Sequence, residues 1–541
     1  MCRRPGPHLG VRVSGFEAIL LMVILLMVLA PVARRIDVPL PVVQVIAGLL
    51  LSLVPLLARV EFDPELIFLI FVPPMLYWNC VTSSMRELGR LRREIGLLAI
   101  GAVLATIAAV AAASHYGPPH LAWAPAVVLG AIVSPPDAAV TIAIARRLGL
   151  PRRMVSLLEG ETLFNDVAAF TAYRLAVGAA LTGTFAASEL APRLLYTAVG
   201  ALAIGWLVAL GVIWLRKRIH DPIVANTLSL MTAYAAYIPA EAAGTSGVVA
   251  VVTAGLILGR RGPRMVDAAT RVQAQQTWAL VLFILNGLIF LLIGLQIGRL
   301  GAELVRVGEW DLLIASAGIA GVVVVVRVVQ VFASAWLARL VRGSTAPSFG
   351  WDETMFIAWT GIRGGDTLVT ALALPLVLAD HTTPFPGRHA ILVVSFTVIL
   401  VTLVLQGATL RPLLRRSCIA DDGTEAEEDR LARKELSQAG IARLAAIASA
   451  RRIPEELAAQ LQIHHHMRRH VRSGAETYAE SVGSSIIATH LLDINRQVLR
   501  AERDSVLSLR DRGLIGDGIL ATIQRELDLE ELVMSRKAEE A

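Results

Sequence analysis

Long apolar segments alternate with short polar connectors from the N-terminal region to Arg411. A transmembrane helix needs about 20 mostly apolar residues. Thirteen segments of roughly that length lie at 15–33, 38–57, 64–81, 95–114, 121–144, 154–180, 191–215, 221–242, 245–260, 275–298, 310–340, 351–378 and 389–411. This pattern predicts an all-α polytopic membrane protein with about 13 transmembrane helices.

The pattern changes after about residue 415, where apolar residues recur three and four positions apart between charged residues. That spacing is typical of amphipathic helices. We therefore predict a transmembrane domain at 1–415 and a cytoplasmic helical domain at 416–541, with helix breaks at Pro454 and at 473–475. The histidine run at 464–466 is interpreted as solvated surface, since adjacent histidines do not share one helix face.

Basic residues cluster after every odd-numbered apolar segment, whereas the alternate connectors contain few. Short cytoplasmic loops are enriched in Lys and Arg, so these connectors and the C-terminus are predicted to be cytoplasmic. The N-terminus would then lie outside, although Arg3, Arg4 and Arg12 argue against that placement. The net charge of +6 thus reflects membrane orientation rather than nucleic-acid binding, and the three cysteines have neither disulfide nor metal-ligand spacing.

Two consecutive apolar segments, 121–144 and 154–180, contain carboxylates that membrane helices usually exclude. The first holds Asp137, and the second holds Glu159, Glu161 and Asp166. A charged side chain near the bilayer centre costs at least about 2.5–3.5 kcal/mol, and such residues usually mark ion or proton pathways. Two prolines directly before Asp137 remove backbone donors, so we expect the first helix to break there, as in transporter cation sites.

Helical spacing places Glu159, Thr162 and Asp166 on one stripe, with Glu161 and Asn165 on a neighbouring stripe. Carboxylate and hydroxyl oxygens of this kind suit hard cations. The alternative is that the acids satisfy arginines inside the helix bundle as structural ion pairs. Arg327, inside the run VVVVVRVVQVF, is expected either to form such a pair or to contact lipid headgroups.

Several motifs resemble those of the monovalent cation/proton antiporter family, which includes bacterial NhaP-type and animal Na⁺/H⁺ exchangers. GETLFND at 160–166 is similar to the family's GE(S/T)LxND motif, and GAIVSPPDAAVTI at 130–142 to its segment with a Thr-Asp-Pro core. Further matches, in the family's order, lie at 72–77, 240–261, 285–297 and 359–375. The resemblance covers about residues 20–412 and leaves the tail uncovered.

The resemblance implies a binding site for one monovalent cation, such as Na⁺, and for protons. Asp166 would bind cation and proton alternately, while Thr162 and Asp137 would supply further ligand oxygens. The backbone carbonyl of Pro136 would also coordinate the cation.

The resemblance also assigns supporting roles. Asn165 would be the first member of the Asn-Asp pair, held by Glu161, and Arg363 would be the intramembrane arginine of a second broken helix. An Asn-Asp pair is associated in the family with electroneutral exchange.

Three departures from the family pattern bear on the site. The Thr-Asp-Pro core is Pro136-Asp137-Ala138, and Trp78 stands where the family often has a glutamate in the third helix. Asp366 follows Arg363 by three residues, where many relatives have an apolar residue. Asp366 is expected to pair with Arg363; the alternative is that it replaces the lost acid.

The two breaks, at Pro135–Pro136 in segment five and at 361–365 in segment twelve, lie seven segments apart. This spacing fits two inverted six-helix repeats with crossed broken helices, which is the Na⁺/H⁺ antiporter fold. Half-helix dipoles would then point at the midplane, where Asp137 and Arg363 would offset their partial charges.

These observations together predict a secondary transporter that exchanges Na⁺ or Li⁺ for H⁺, electroneutrally and 1:1, by alternating access. A K⁺/H⁺ antiporter of the same mechanism is the alternative, and a cation channel gated by the tail is a further one. We expect no enzymatic activity, no cofactor and no nucleic-acid partner. The expected setting is a homodimer among the lipids of a bacterial inner membrane, with a cytoplasmic C-terminus.

Overall fold

The computed structural model describes fourteen stretches of the chain, four of which are single residues. These are residues 15–36, 38, 40–54, 64–137, 142, 150–182, 187–219, 221–342, 349–378, 380, 382–417, 419, 423–450 and 485–540. Within them the secondary structure is helical, apart from an isolated β-bridge between Val377 and Pro384. The predicted tail breaks at Pro454 and 473–475, and the histidines at 464–466, lie outside the described residues.

Helices α1 to α15 occupy the apolar part of the chain. They are α1 Gly15–Arg35, α2 Leu40–Leu51, α3 Pro64–Thr82, α4 Met85–Arg90, α5 Arg92–Tyr116, α6 Trp123–Val133, α7 Arg152–Thr182, α8 Ala187–Arg216, α9 Pro222–Ala242, α10 Gly247–Met265, α11 Ala268–Val307, α12 Trp310–Arg342, α13 Trp351–Trp359, α14 Gly365–Leu372 and α15 Arg388–Arg416. The tail contributes α16 Thr424–Ala450, α17 Ser485–Arg512 and α18 Asp517–Glu540.

Each of the thirteen predicted membrane segments contains a helix. Eight helices of the described chain are long and apolar enough to cross a membrane, namely α1, α3, α5, α8, α9, α11, α12 and α15. The others fall short for identifiable reasons: α2 and α6 are short, α7 carries the acids, α10 ends in a basic turn, and α13 and α14 are halves of one interrupted segment. The helical fold class is therefore confirmed.

The chain forms two compact units. The first contains residues up to Leu215, Leu228–Arg261 and Trp278–Ala420, and so holds most of the apolar helices. The second contains Asp421–Ala541 together with two connectors of the apolar region, Arg216–Thr227 and Gly262–Thr277.

Small residues let helix backbones of the first unit approach closely, as is common where helices pack within membranes. A Cβ added at Gly294 of α11 would lie 2.0 Å from the carbonyl oxygen of Val45, and one added at Gly48 of α2 would lie 2.1 Å from that of Leu291. In the same way, Gly130 of α6 lies against the backbone of Ile107 in α5. Residues larger than glycine would force these helix pairs apart.

Two interrupted segments lie in contact inside this unit. Helix α6 ends at Val133 and is followed by the non-helical stretch 134–137, directly at the two prolines. Helix α13 ends at Trp359, and the link 360–364 leads into α14, which packs against α3, α6, α7 and α15. Both predicted breaks are therefore present.

The second unit is a helical bundle with its own apolar core. Buried side chains of α16, α17 and α18 pack together, among them Leu436, Val506 and Leu527. Arg271, in the connector that belongs to this unit, donates to both oxygens of the buried Asp528 carboxylate at 2.6 and 2.8 Å. Arg503 donates to the same carboxylate at 2.9 Å, so two guanidinium groups neutralise one buried acid.

Candidate functional site

The two breaks are joined by hydrogen bonds at Asp137. Its backbone N–H donates to the carbonyl of Ile362 at 2.7 Å, and its carboxylate Oδ2 accepts from the N–H of Gly365 at 3.1 Å. A Cβ at Gly364 would lie 2.3 Å from that same Oδ2, so only glycine allows the carboxylate to sit there. Because Gly365 begins α14, the Asp137 charge lies at a helix N-terminus, where an anion is stabilised.

Arg363 makes the opposite contact. Its guanidinium donates to the carbonyls of Val133 at 2.8 Å and Ser134 at 3.2 Å, which terminate α6, and also to that of Gly361. A cation at a helix C-terminus offsets the partial negative charge of the last carbonyls. The predicted compensation of both half-helix dipoles is thus visible in the contacts. The backbone N–H of Arg363 donates to Thr402 Oγ1 at 3.0 Å, a partner that sequence reasoning missed despite its hydroxyl in an apolar segment.

Three polar side chains of α7 are buried together: Asp166 is 3% exposed, Asn165 is fully buried, and Glu161 is 1% exposed. Asn165 Nδ2 donates to Glu161 Oε1 at 3.3 Å, which is the predicted support of the Asn by the Glu. Within the described part of the chain, Asp166 Oδ1 and Asn165 Oδ1 have no hydrogen-bond partner. Two buried acceptor oxygens are therefore available to a cation or a proton.

Glu161 is also held by Arg327 of α12, whose two guanidinium nitrogens bind its two carboxylate oxygens, one of them at 2.9 Å. Counted without backbone atoms, both side chains are 2% exposed. Of the two expectations for Arg327, the structure thus shows the ion pair, and it identifies the partner that the sequence left unnamed. The sequence signal for this ion pair was a single arginine inside a run of valines.

Thr162 and Pro136 offer oxygens of other kinds. Thr162 is half-buried on α7, and its hydroxyl donates to the carbonyl of Leu158 at 2.9 Å, which leaves its lone pairs as acceptors. Pro136 is buried in the break after α6, and as a proline it contributes only a carbonyl to polar contacts.

The structure corrects the expected pairing of Asp366 with Arg363. The Arg363 side chain is committed to the three carbonyls at the break, and no basic side chain of the described residues lies at ion-pair distance from Asp366. Asp366 lies instead within electrostatic range of Asp137 and of Asp166. The physical reason is that the last carbonyls of a helix lack donors within that helix, and those of α6 accept hydrogen bonds from the guanidinium group of Arg363.

The third-helix position that lacks the expected glutamate is occupied by an aromatic stack. Trp78 of α3 lies parallel to Trp278 of α11, with ring centroids 5.0 Å apart and an interplanar angle of 15°. Two residues further on, the buried Cys80 lies within electrostatic range of the Asp166 carboxylate. Helix α3 therefore borders the site without contributing an acid at that position.

The Asp166 carboxylate of α7 thus lies within electrostatic range of Asp137 at the two breaks, and α7 also carries the amide oxygen of Asn165 and the hydroxyl of Thr162. Oxygen ligands of this type bind alkali cations and protons. The buried Arg327 balances the charge of Glu161, and Arg363 balances the partial charge at the end of α6. These oxygen groups have the chemistry to bind a cation or a proton.

Comparison with known proteins identifies the same family that the sequence motifs resemble. A sequence model described as sodium/hydrogen exchanger, transmembrane, matches residues 21–416. An uncharacterized Na⁺/H⁺ exchanger of Mycobacterium tuberculosis is 33% identical over 534 residues, covering 96% of each chain. A Bacillus subtilis protein named sodium, potassium, lithium and rubidium/H⁺ antiporter is 30% identical over 418 residues, covering 73% of this chain and 61% of that protein.

A solved structure agrees with the architecture. The sodium proton antiporter MjNhaP1 from Methanocaldococcus jannaschii superimposes with a TM-score of 0.56 at 19% identity, over 74% of this chain and 98% of that one. This likeness shows that the chain has the predicted antiporter fold. Together with the family match across nearly the whole apolar region, it establishes that the protein is a multi-pass membrane transporter of the sodium/hydrogen exchanger family.

Proposed function

We propose that this transporter exchanges Na⁺ or Li⁺ for H⁺ at Asp166, with one cation moved per proton. The observation that carries the proposal is the buried Asp166 carboxylate, whose Oδ1 has no protein partner in the described structure and which lies beside the two crossed breaks. Asp137, Thr162 and the carbonyl of Pro136 would complete the cation's ligands.

Competition for one carboxylate couples the two fluxes. A buried carboxylate is costly when charged and uncompensated, and either a proton or a cation removes that cost. Opening the site to one side and then to the other moves the two ions in opposite directions. Asn165 is neutral and Glu161 is already paired with Arg327, so neither adds an unpaired charge to the cycle. This supports electroneutral 1:1 exchange.

A K⁺/H⁺ exchanger is the second candidate, because the Bacillus subtilis relative carries sodium, potassium, lithium and rubidium in its name. The ligand oxygens suit any alkali cation, and selectivity follows from their spacing. A cation channel gated by the tail is the third candidate. Strongly binding buried acids oppose it, since conduction requires that ions leave their sites easily. The transporter would act as a homodimer in the inner membrane, with its tail in the cytoplasm.

The test uses purified full-length protein in proteoliposomes that contain a pH-sensitive dye. Wild-type protein should move protons when Na⁺ or Li⁺ is added, and Asp166→Asn should abolish that movement. Asp311→Asn, which alters an exposed aspartate at the start of α12, is the control and should match the wild type. Undiminished exchange by Asp166→Asn would refute the site.

The same vesicles separate the three candidate functions. Electroneutral exchange should proceed at the same rate with the membrane potential clamped at zero or at a negative value. A channel would give cation flux that follows the potential without proton counterflow. Activity with K⁺ at rates equal to those with Na⁺ would favour the K⁺/H⁺ alternative.

A further inference from the structure

Asp366 is an intramembrane acid that the exchange cycle described above does not use. It is the second residue of α14, directly after Gly365, whose N–H holds the Asp137 carboxylate at 3.1 Å. Helix α14 packs against α3, α6 and α7, which are the helices that border or form the cation site. Asp366 therefore stands at the edge of the site rather than in a distant part of the bundle.

The described surroundings of Asp366 contain no basic side chain that pairs with it. Among the side chains that the structure describes, no arginine, lysine or histidine is at ion-pair distance from it, and Arg363 is occupied at the end of α6. Its charge interacts with those of Asp166 and Asp137. An uncompensated acid in a membrane interior is costly, and it persists where an ion or a proton shares its site.

Helix α14 packs directly on α3, whose Trp78 is stacked on Trp278 and carries no charge. Asp366 is half-buried, so the carboxylate keeps some access to ions.

We propose that Asp366 is a direct part of the ion site and supplies a further carboxylate to the monovalent cation that Asp166 binds. This inference rests on the proposed exchange function and identifies a ligand of the same site.

A purely structural role makes a different prediction. An aspartate in the first turn of a helix stabilises the helix dipole without binding an ion. Asp311 is the matched control, because it is the second residue of α12 as Asp366 is the second residue of α14. If Asp366 only stabilised its helix, Asp366→Asn and Asp311→Asn would both lower thermal stability slightly, and neither would change cation affinity.

The experiment measures two quantities for the full-length wild type, Asp366→Asn and Asp311→Asn. The first is the Na⁺ concentration for half-maximal exchange in proteoliposomes. The second is the rise in melting temperature of the detergent-solubilised protein on addition of NaCl, with choline chloride as the ionic-strength control; ligand binding to the native state produces such a rise. Asp366→Asn should raise the half-maximal Na⁺ concentration about tenfold or more and reduce the Na⁺-dependent rise, whereas Asp311→Asn should change neither.

A half-maximal Na⁺ concentration in Asp366→Asn within about twofold of the wild type would overturn the proposal. Should that variant not fold, Asp366→Glu decides instead. A carboxylate displaced by one methylene must change the ratio of Li⁺ to K⁺ affinity if it contacts the cation, and an unchanged ratio overturns the inference. Asp166→Asn, assayed in parallel, separates the two levels: exchange that survives in Asp166→Asn refutes the proposed exchange site, whereas loss of exchange there combined with wild-type behaviour of Asp366→Asn refutes only the role of Asp366.

Discussion

The buried ion pair between Glu161 and Arg327 provides the sharpest test of how the site is supported. We consider Glu161→Gln, which keeps the shape of the side chain and removes its charge, and Arg327→Met, which removes the guanidinium. Both side chains are 2% exposed, so neither charge can be transferred to water without unfolding the helix contacts. Glu161 also accepts the hydrogen bond from Asn165, which connects the pair to Asp166.

The expected magnitude follows from burial. Removing one partner of a buried ion pair leaves an uncompensated charge, and the free energy of unfolding then falls by about 3–5 kcal/mol. Removing both partners avoids that cost, because replacement of a whole buried pair by neutral groups is often close to neutral. The double variant Glu161→Gln/Arg327→Met should therefore be more stable than either single variant, with a coupling free energy of about 2 kcal/mol or more.

The measurement is a double-mutant cycle on purified protein, with unfolding followed by circular dichroism as SDS is titrated into detergent micelles. A second cycle on Arg174 and Glu241, an ion pair whose side chains are 30% and 29% exposed, serves as the comparison. Partly exposed pairs contribute much less, so its coupling should be at most about 1 kcal/mol. Additive destabilisation by Glu161→Gln and Arg327→Met would refute the reasoning.

Two further substitutions test the crossing and the tail. In Gly364→Ala, the new Cβ would lie 2.3 Å from Asp137 Oδ2 and displace that carboxylate. Na⁺-driven proton movement should be lost, while the free energy of unfolding falls by only about 1–3 kcal/mol. Exchange at the wild-type rate would contradict this prediction. Asp528→Ala removes the carboxylate shared by two arginines of the second unit and should destabilise that unit by about 3–5 kcal/mol, giving faster proteolysis of the tail. The exposed Asp504, changed to Ala, should leave the proteolysis pattern unchanged, and equal cleavage of both variants would count against the prediction.

Features that depend on local chemistry were predictable from the sequence. Apolar length located the helices, and two prolines before Asp137 located the end of α6, because proline lacks the donor that the next helical turn requires. The spacing of Glu161 and Asn165 placed them on one stripe of a helix, and the family resemblance implied the contact that is found at 3.3 Å.

Features that depend on competition between distant groups were not predictable. Arg363 lies three residues from Asp366, and sequence proximity favoured their pairing. The carbonyls of Val133 and Ser134, about 230 residues earlier in the chain, obtain the guanidinium instead, because these acceptors have no partner within their own helix. An ion pair of Arg327 was one of two expectations, but no local pattern could assign it to Glu161, 166 residues away on α7.

The contact between Arg363 and the end of α6 also has a consequence for how the protein is made. During synthesis, α6 enters the membrane long before the chain reaches Arg363, since 230 residues separate that residue from Val133. Carbonyls without donors are costly in a lipid interior, so the end of α6 can adopt its final shape only after α13 and α14 have inserted. We therefore expect ribosome-bound chains truncated before residue 351 to keep this region accessible to water-soluble labels. The ion site is then among the last parts of the protein to assemble.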